Sequence, residues 1–146
     1  MVPVVLAPQF GYVILSCVSI LFVNIFLGGK VGAARRKFKV PLPNMYATPT
    51  QEFADEFNRV QRGHQNMIET EAACYMLIIS NGLFYPTFAA ACGAAIAVGR
   101  WAYAWGYAQK VSKRAYGQAL FLPAVLALTI NAGRIAYALI SGGQLA

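Results

Sequence analysis

The stretch FGYVILSCVSILFVNIFLGG, residues 10–29, contains no charged side chain. A helix of that length reaches about 30 Å, the thickness of a bilayer's hydrocarbon core. In hydrocarbon each backbone polar group must be satisfied internally, so such a stretch folds as a membrane helix. It lacks a basic n-region and an A-x-A cleavage site, and it reads as a retained helix and not a signal peptide. Three further segments have comparable length. One begins near Phe53 and runs to about Phe84, polar in its first half and apolar in its second. The others are TFAAACGAAIAVGRWAYAWGYAQ, residues 87–109, and GQALFLPAVLALTINAGRIAYALI, residues 117–140. The expectation is an all-α membrane protein: one four-transmembrane-helix bundle over residues 1–146, with helices at about 10–36, 53–84, 87–109 and 117–140. Only 12% of residues are charged, against about 25% in soluble domains.

The net charge of +7 raises the question of nucleic acid, but a nucleic-acid surface places its cations on a solvated face. Here eight of the twelve Lys and Arg flank apolar runs: Lys30, Arg35, Arg36, Lys37 and Lys39 at the first connection, and Lys110, Lys113 and Arg114 at the third. That is the pattern of membrane topology signals. With four spans the two basic loops share one side. The positive-inside rule puts them in the cytosol and both chain termini on the other side. No nucleic-acid partner is expected.

The first connection, KVGAARRKFKVPLPNMYATPTQE, contains Pro41, Pro43 and Pro49, which break any helix there. The second is a tight turn at Tyr85 and Pro86. AAACGAAIAVG in the third segment is suited to close backbone packing between helices. Pro123 is expected to kink the fourth helix. Cys17, Cys74 and Cys92 all lie in apolar stretches, without metal-ligand spacing, so neither a disulfide framework nor a metal site is expected.

The polar run NRVQRGHQNMIETE, residues 58–71, opens the second helix. Arg59, Arg62, Asn66 and Glu69 are spaced 3, 4 and 3, which confines them to an arc of roughly 80°. They form one stripe, expected to face inward. Gln65, Ile68 and Glu71 point elsewhere, and His64 lies off the stripe, toward a neighbouring helix or subunit. Arg100, Tyr103 and Tyr107 share a face of the third helix, and Arg114 follows seven residues later. Guanidiniums pair bidentately with carboxylates, a carboxylate pairs an ammonium, and a phenol or guanidinium stabilises a thiolate. Glutathione carries all three groups. The simpler readings are topology signals for Arg35 and Arg36, an interfacial belt for Trp101, Tyr103 and Tyr107, and a structural Arg62–Glu69 pair. An ionisable group inside a membrane nevertheless points to function.

The stretches ARRKFKV, FNRVQRGHQNMIE, GRWAYAWGY and SKRAYG resemble the membrane-associated proteins of eicosanoid and glutathione metabolism (the MAPEG family) over about residues 10–140. RGHQN and PNMYAT are most similar to its type-3 microsomal glutathione transferases, which are related to the leukotriene C4 synthases. The resemblance implies a homotrimer in the endoplasmic reticulum (microsomal) membrane, with glutathione as co-substrate bound between subunits near the cytosolic side. It implies glutathione contacts for Arg35, Arg62, His64, Asn66, Glu69, Tyr103 and Tyr107. It also implies Arg114 as the arginine that activates the thiol and Arg36 as proton donor to a lipid epoxide. Thr70 departs from the tyrosine of the leukotriene-synthase branch. The expected partners are membrane lipid and a lipophilic electrophile, for conjugation or for peroxide reduction. The alternative is a non-catalytic lipid-binding scaffold that presents fatty acids to a partner enzyme. A channel fits poorly, since no discontinuous helix is evident.

Overall fold

A computed structural model describes residues 6–143. The terminal residues 1–5 and 144–146, which the topology argument assigns to the non-cytosolic side, lie outside it. Four long helices account for most of the described chain: α1 (Phe10–Lys37), α2 (Ala54–Gly82), α3 (Pro86–Gln109) and α4 (Ala115–Ser141), the last preceded by a 3-10 turn at Val111–Arg114. Their ends differ from the expected ones by at most two residues. The third connection, expected as a loop, is largely that 3-10 turn. By length and composition, α1 and the stretch Val111–Ser141 are apolar enough to cross a membrane. For α2 the polar first half lowers the average; in α3 Arg100 and the Trp- and Tyr-rich end do so.

Each apolar helix buries one stripe and leaves the rest open. On α1, Val13, Ser16, Ile20, Leu27 and Ala34 are buried, whereas Tyr12, Leu15, Phe22 and Ile25 are more than half exposed. On α4, Gly117, Phe121, Ala124, Leu128 and Ile135 face inward, and Leu126, Ile130 and Tyr137 face outward. A helix that is apolar all round is stable only where its outer face meets protein or lipid.

The core runs along α3, which packs on all three other helices. Glycines permit this. A Cβ on Gly117 would collide with the backbone of Tyr103 and Gly99, and one on Gly106 would meet the Lys113 carbonyl at 2.5 Å. Within AAACGAAIAVG, a Cβ on Gly93 would meet the Ser16 hydroxyl of α1 at 2.5 Å. Within the chain this segment therefore packs closely on α1 through Gly93 and on α4 through Gly99. Pro123 sits inside α4, which continues on both sides of it. Asn81, fully buried, ties α2 to α4: its Nδ2 donates to the Leu128 carbonyl at 3.1 Å and its Oδ1 accepts from Asn131 Nδ2 at 2.8 Å.

The proline-rich connection is packed down. Val40 and Ala47 join Ala34, Ala54 and Phe57 in a small second core. Asn58 holds Ala47 by both backbone groups, accepting its N–H at 2.8 Å and donating to its carbonyl at 3.0 Å. These contacts set the position of Tyr46 above the start of α2.

Candidate functional site

At the loop end of the bundle, Tyr46, Asp55, Asn58, Arg59, Arg62, Tyr107 and Val111 line a cleft of about 380 Å³. An adjoining cleft is lined by Arg59, Gln109, Lys110, Val111, Ser112 and Arg114. Arg59 borders both. Its Nε donates to the Ala108 carbonyl at 3.3 Å, and its guanidinium lies 3.8 Å from Glu56. Arg114 is exposed, with its guanidinium carbon 6.0 Å from the centre of the Tyr107 ring. The α2 stripe and the end of α3 therefore meet at a basic, tyrosine-bearing mouth. α1 supplies none of its lining residues.

The stripe itself is less inward than its spacing suggested. Arg62 donates to Glu69 at 2.5 Å, and both side chains are about 40% exposed. The pair runs two turns along α2 on a face that this chain leaves partly open. Helical spacing fixes a shared face but not how far that face is turned toward α3. Arg59 and Asn66 do meet α3: Arg59 at the Ala108 carbonyl, and Asn66 through its Oδ1, which accepts from Arg100 Nη1 at 2.9 Å. Arg100 also donates to the Thr70 hydroxyl and lies 3.9 Å over the Phe121 ring. It is 5% exposed. Its acceptors are neutral, and the ion pairs among the described residues are Arg59–Glu56 and Arg62–Glu69. A buried guanidinium in apolar surroundings requires such acceptors.

Tyr103 is buried, its ring 5.7 Å from that of Tyr107 and edge-on to Phe121 at 6.0 Å. Tyr107 is the one that reaches the cleft. Arg35 is committed elsewhere. It donates to the Asn44 carbonyl at 2.7 Å, with longer contacts to the Val40 and Pro41 carbonyls, and stacks over Phe57. Within one chain it straps the first connection and does not line the cleft. Arg36 is exposed and also lies off the cleft.

His64 faces α1. Its Nε2–H donates to Asn24 Oδ1 at 2.7 Å, and its ring packs on Gly28. Asn24 Nδ2 donates to Glu71 Oε2 at 2.5 Å, and the Tyr75 hydroxyl donates to Glu71 Oε1 at 2.9 Å. Of this linked set the sequence implies a site role for His64 alone; Asn24, Glu71 and Tyr75 join it only in the structure, as does the Asn66 partnership of Arg100. A signal for the set existed. Asn24 interrupts the run SILFVNIFLGG, and a lone amide there needs a partner, as does the carboxylate of Glu71. No three His, Cys, Asp or Glu side chains converge as a metal site among the described residues.

Comparison with known proteins places these features in a group. The family described as MAPEG matches residues 13–134. Microsomal glutathione S-transferase 2 of Homo sapiens is 32% identical over 121 residues, covering 81% of this chain and 78% of that protein. The protein of the same name from Bos taurus is 29% identical over 121 residues, covering 81% and 79%. That of Mus musculus is 32% identical over 122 residues, covering 82% and 79%. These relatives carry the type-2 name, and the type-3 likeness rests on the RGHQN and PNMYAT stretches. The family match reaches into all four helices and includes both clefts, and the chain belongs to the MAPEG family.

Proposed function

We propose that this chain is an integral membrane glutathione transferase that presents the glutathione thiolate to lipophilic electrophiles. The observation that carries this reading is the convergence of Arg59, Arg62 and Tyr107 on one cleft, with Arg114 beside Tyr107. Glutathione brings two carboxylates, one ammonium and one thiol. Guanidiniums of Arg59 and Arg62 suit the carboxylates, and Glu69, held by Arg62, suits the ammonium. The names of the relatives point to the same co-substrate.

A thiol with a pKa near ~8.5 is mostly protonated at neutral pH, and a neighbouring cation stabilises the thiolate. Arg114 fills that role electrostatically, because a guanidinium does not give up its proton at neutral pH. The thiolate then attacks a carbon of a lipid epoxide. The C–S bond forms, the C–O bond breaks, and the alkoxide takes up from water, in the field of Arg36, a proton equivalent to the one the thiol released. With a lipid hydroperoxide, sulfur attacks the terminal oxygen and the lipid alcohol leaves. A second glutathione converts the sulfenic acid to the disulfide and water.

Arg36 and His64 do not line the cleft of their own chain, and the Arg62–Glu69 face is partly open. Both observations favour a site completed by a neighbouring copy, in the homotrimer that the family resemblance implies. In this reading all four helices span the endoplasmic reticulum membrane, with the basic connections in the cytosol.

Glutathione-dependent turnover of a lipid epoxide and a lipid hydroperoxide, run side by side on purified protein, tests the activity. Stopped-flow thiolate absorbance on the wild type and on Arg114→Ala tests the activator, and equal signals would remove Arg114 from that role. Calorimetry that finds lipid binding but no glutathione binding would instead support the scaffold that presents fatty acids to a partner.

A further inference from the structure

A second, larger groove lies between α1 and α3, with a volume of about 740 Å³. Leu27, Ala34, Val60 and Ala104 form its apolar floor. Trp101 and Trp105 form one wall, their rings 6.3 Å apart and nearly parallel, and both are open to the outside. Lys30 and Lys37 stand on the rim. They are two turns apart on one face of α1, about 10 Å along the axis. Each ammonium lies over an aromatic ring, Lys30 at 5.3 Å from Phe26 and Lys37 at 4.9 Å from Phe38. Glu56 also lines the groove, but its carboxylate is 3.8 Å from Arg59. The rim is therefore net cationic above an apolar channel.

We infer that this groove binds one anionic phospholipid of the cytosolic-side leaflet, with an acyl chain along the small-residue floor and the phosphate between Lys30 and Lys37. The chemistry is complementary at both ends. Small side chains leave the cross-section of a hydrocarbon chain, tryptophans favour the interfacial level, and long lysine side chains extend toward headgroups. A second copy of this chain is a poorer occupant. Its five acidic residues all lie between Glu52 and Glu71, and Glu56, Glu69 and Glu71 already have partners. The inference uses none of the glutathione-site residues and takes from that reading only the side of the membrane on which the basic connections lie.

Trp101 and Trp105 are the chain's two tryptophans, so the protein's tryptophan fluorescence reads this groove directly. The full chain is reconstituted in bilayers of neutral lipid containing, at equal mole fraction, either phosphatidylglycerol or phosphatidylcholine with brominated acyl chains. The expected result is severalfold stronger quenching by the brominated anionic lipid. Lys30→Gln with Lys37→Gln should bring the two lipids level, and Lys30→Arg with Lys37→Arg should retain the difference. Equal quenching in the wild type would overturn the inference. A preference that survives the double glutamine variant would overturn it too, since the remaining basic residues would then account for lipid recruitment. Weak quenching by both lipids would show the groove covered by protein, which also rejects it.

Discussion

Arg100 Nη1 donates to Asn66 Oδ1 at 2.9 Å, joining the middle of α3 to the polar stripe of α2. The guanidinium is buried, and it has neutral acceptors and the Phe121 ring as company. Asn66→Leu therefore leaves a buried donor unmatched, which costs about 1–3 kcal/mol. Thermal unfolding in detergent should show a clear loss of stability. Thr70→Val should show a similar one, because the Thr70 hydroxyl accepts from the other guanidinium nitrogen.

The Arg62–Glu69 pair should behave in the opposite way. Both side chains are about 40% exposed, and open ion pairs contribute about 0.2–1 kcal/mol to stability. Arg62→Ala and Glu69→Gln should thus unfold close to the wild-type temperature. Glutathione affinity, measured by calorimetry, should fall by about tenfold or more, the value of one lost charge-assisted hydrogen bond. A large unfolding shift with unchanged affinity would make the pair structural.

Asn24 bridges His64 and Glu71, on opposite sides of its amide. Asn24→Leu removes an acceptor from one and a donor from the other. It should destabilise the α1–α2 contact by about 1–3 kcal/mol. A double-mutant cycle of Asn24→Leu with Glu71→Gln should give a coupling of about 0.5–3 kcal/mol. His64→Gln should be milder than His64→Leu, since an amide N–H can also donate to Asn24.

Gly117 faces the backbone of α3 with no room for a side chain. Gly117→Ala should force α4 away from Tyr103 and lower stability by about 1–3 kcal/mol, the usual cost of overpacking. Gly133→Ala, where a Cβ meets nothing within 4 Å, should leave stability unchanged or slightly raised. Equal unfolding temperatures for the two variants would contradict the packing described for α3 and α4.

If a site takes Arg36 from one copy and Arg114 from the next, two inactive variants can complement. Co-expressed Arg36→Ala and Arg114→Ala chains should recover about one quarter of wild-type turnover, as random neighbours in a ring pair two intact contributions at that frequency. Recovery near zero would place both arginines in one chain's site.

The four helices, their approximate ends and the apolar outer faces of α1 and α4 follow from local properties of the chain: run length, proline positions and the spacing of buried residues. The shared face of Arg59, Arg62, Asn66 and Glu69 was equally legible, because helix period alone sets it. Which neighbours these residues meet was not. Asn66 finds Arg100 across 34 positions of chain, and His64 finds Asn24 across 40. Helical period gives each residue's direction about its own axis, but not the rotation of that helix against the next. Packing set that rotation, through glycines that let α3 and α4 touch along their backbones and let α3 approach α1. The tertiary structure therefore decided that Asn66 turns to a buried arginine, that Arg62 and Glu69 stay partly open, and that Arg35 straps a connection.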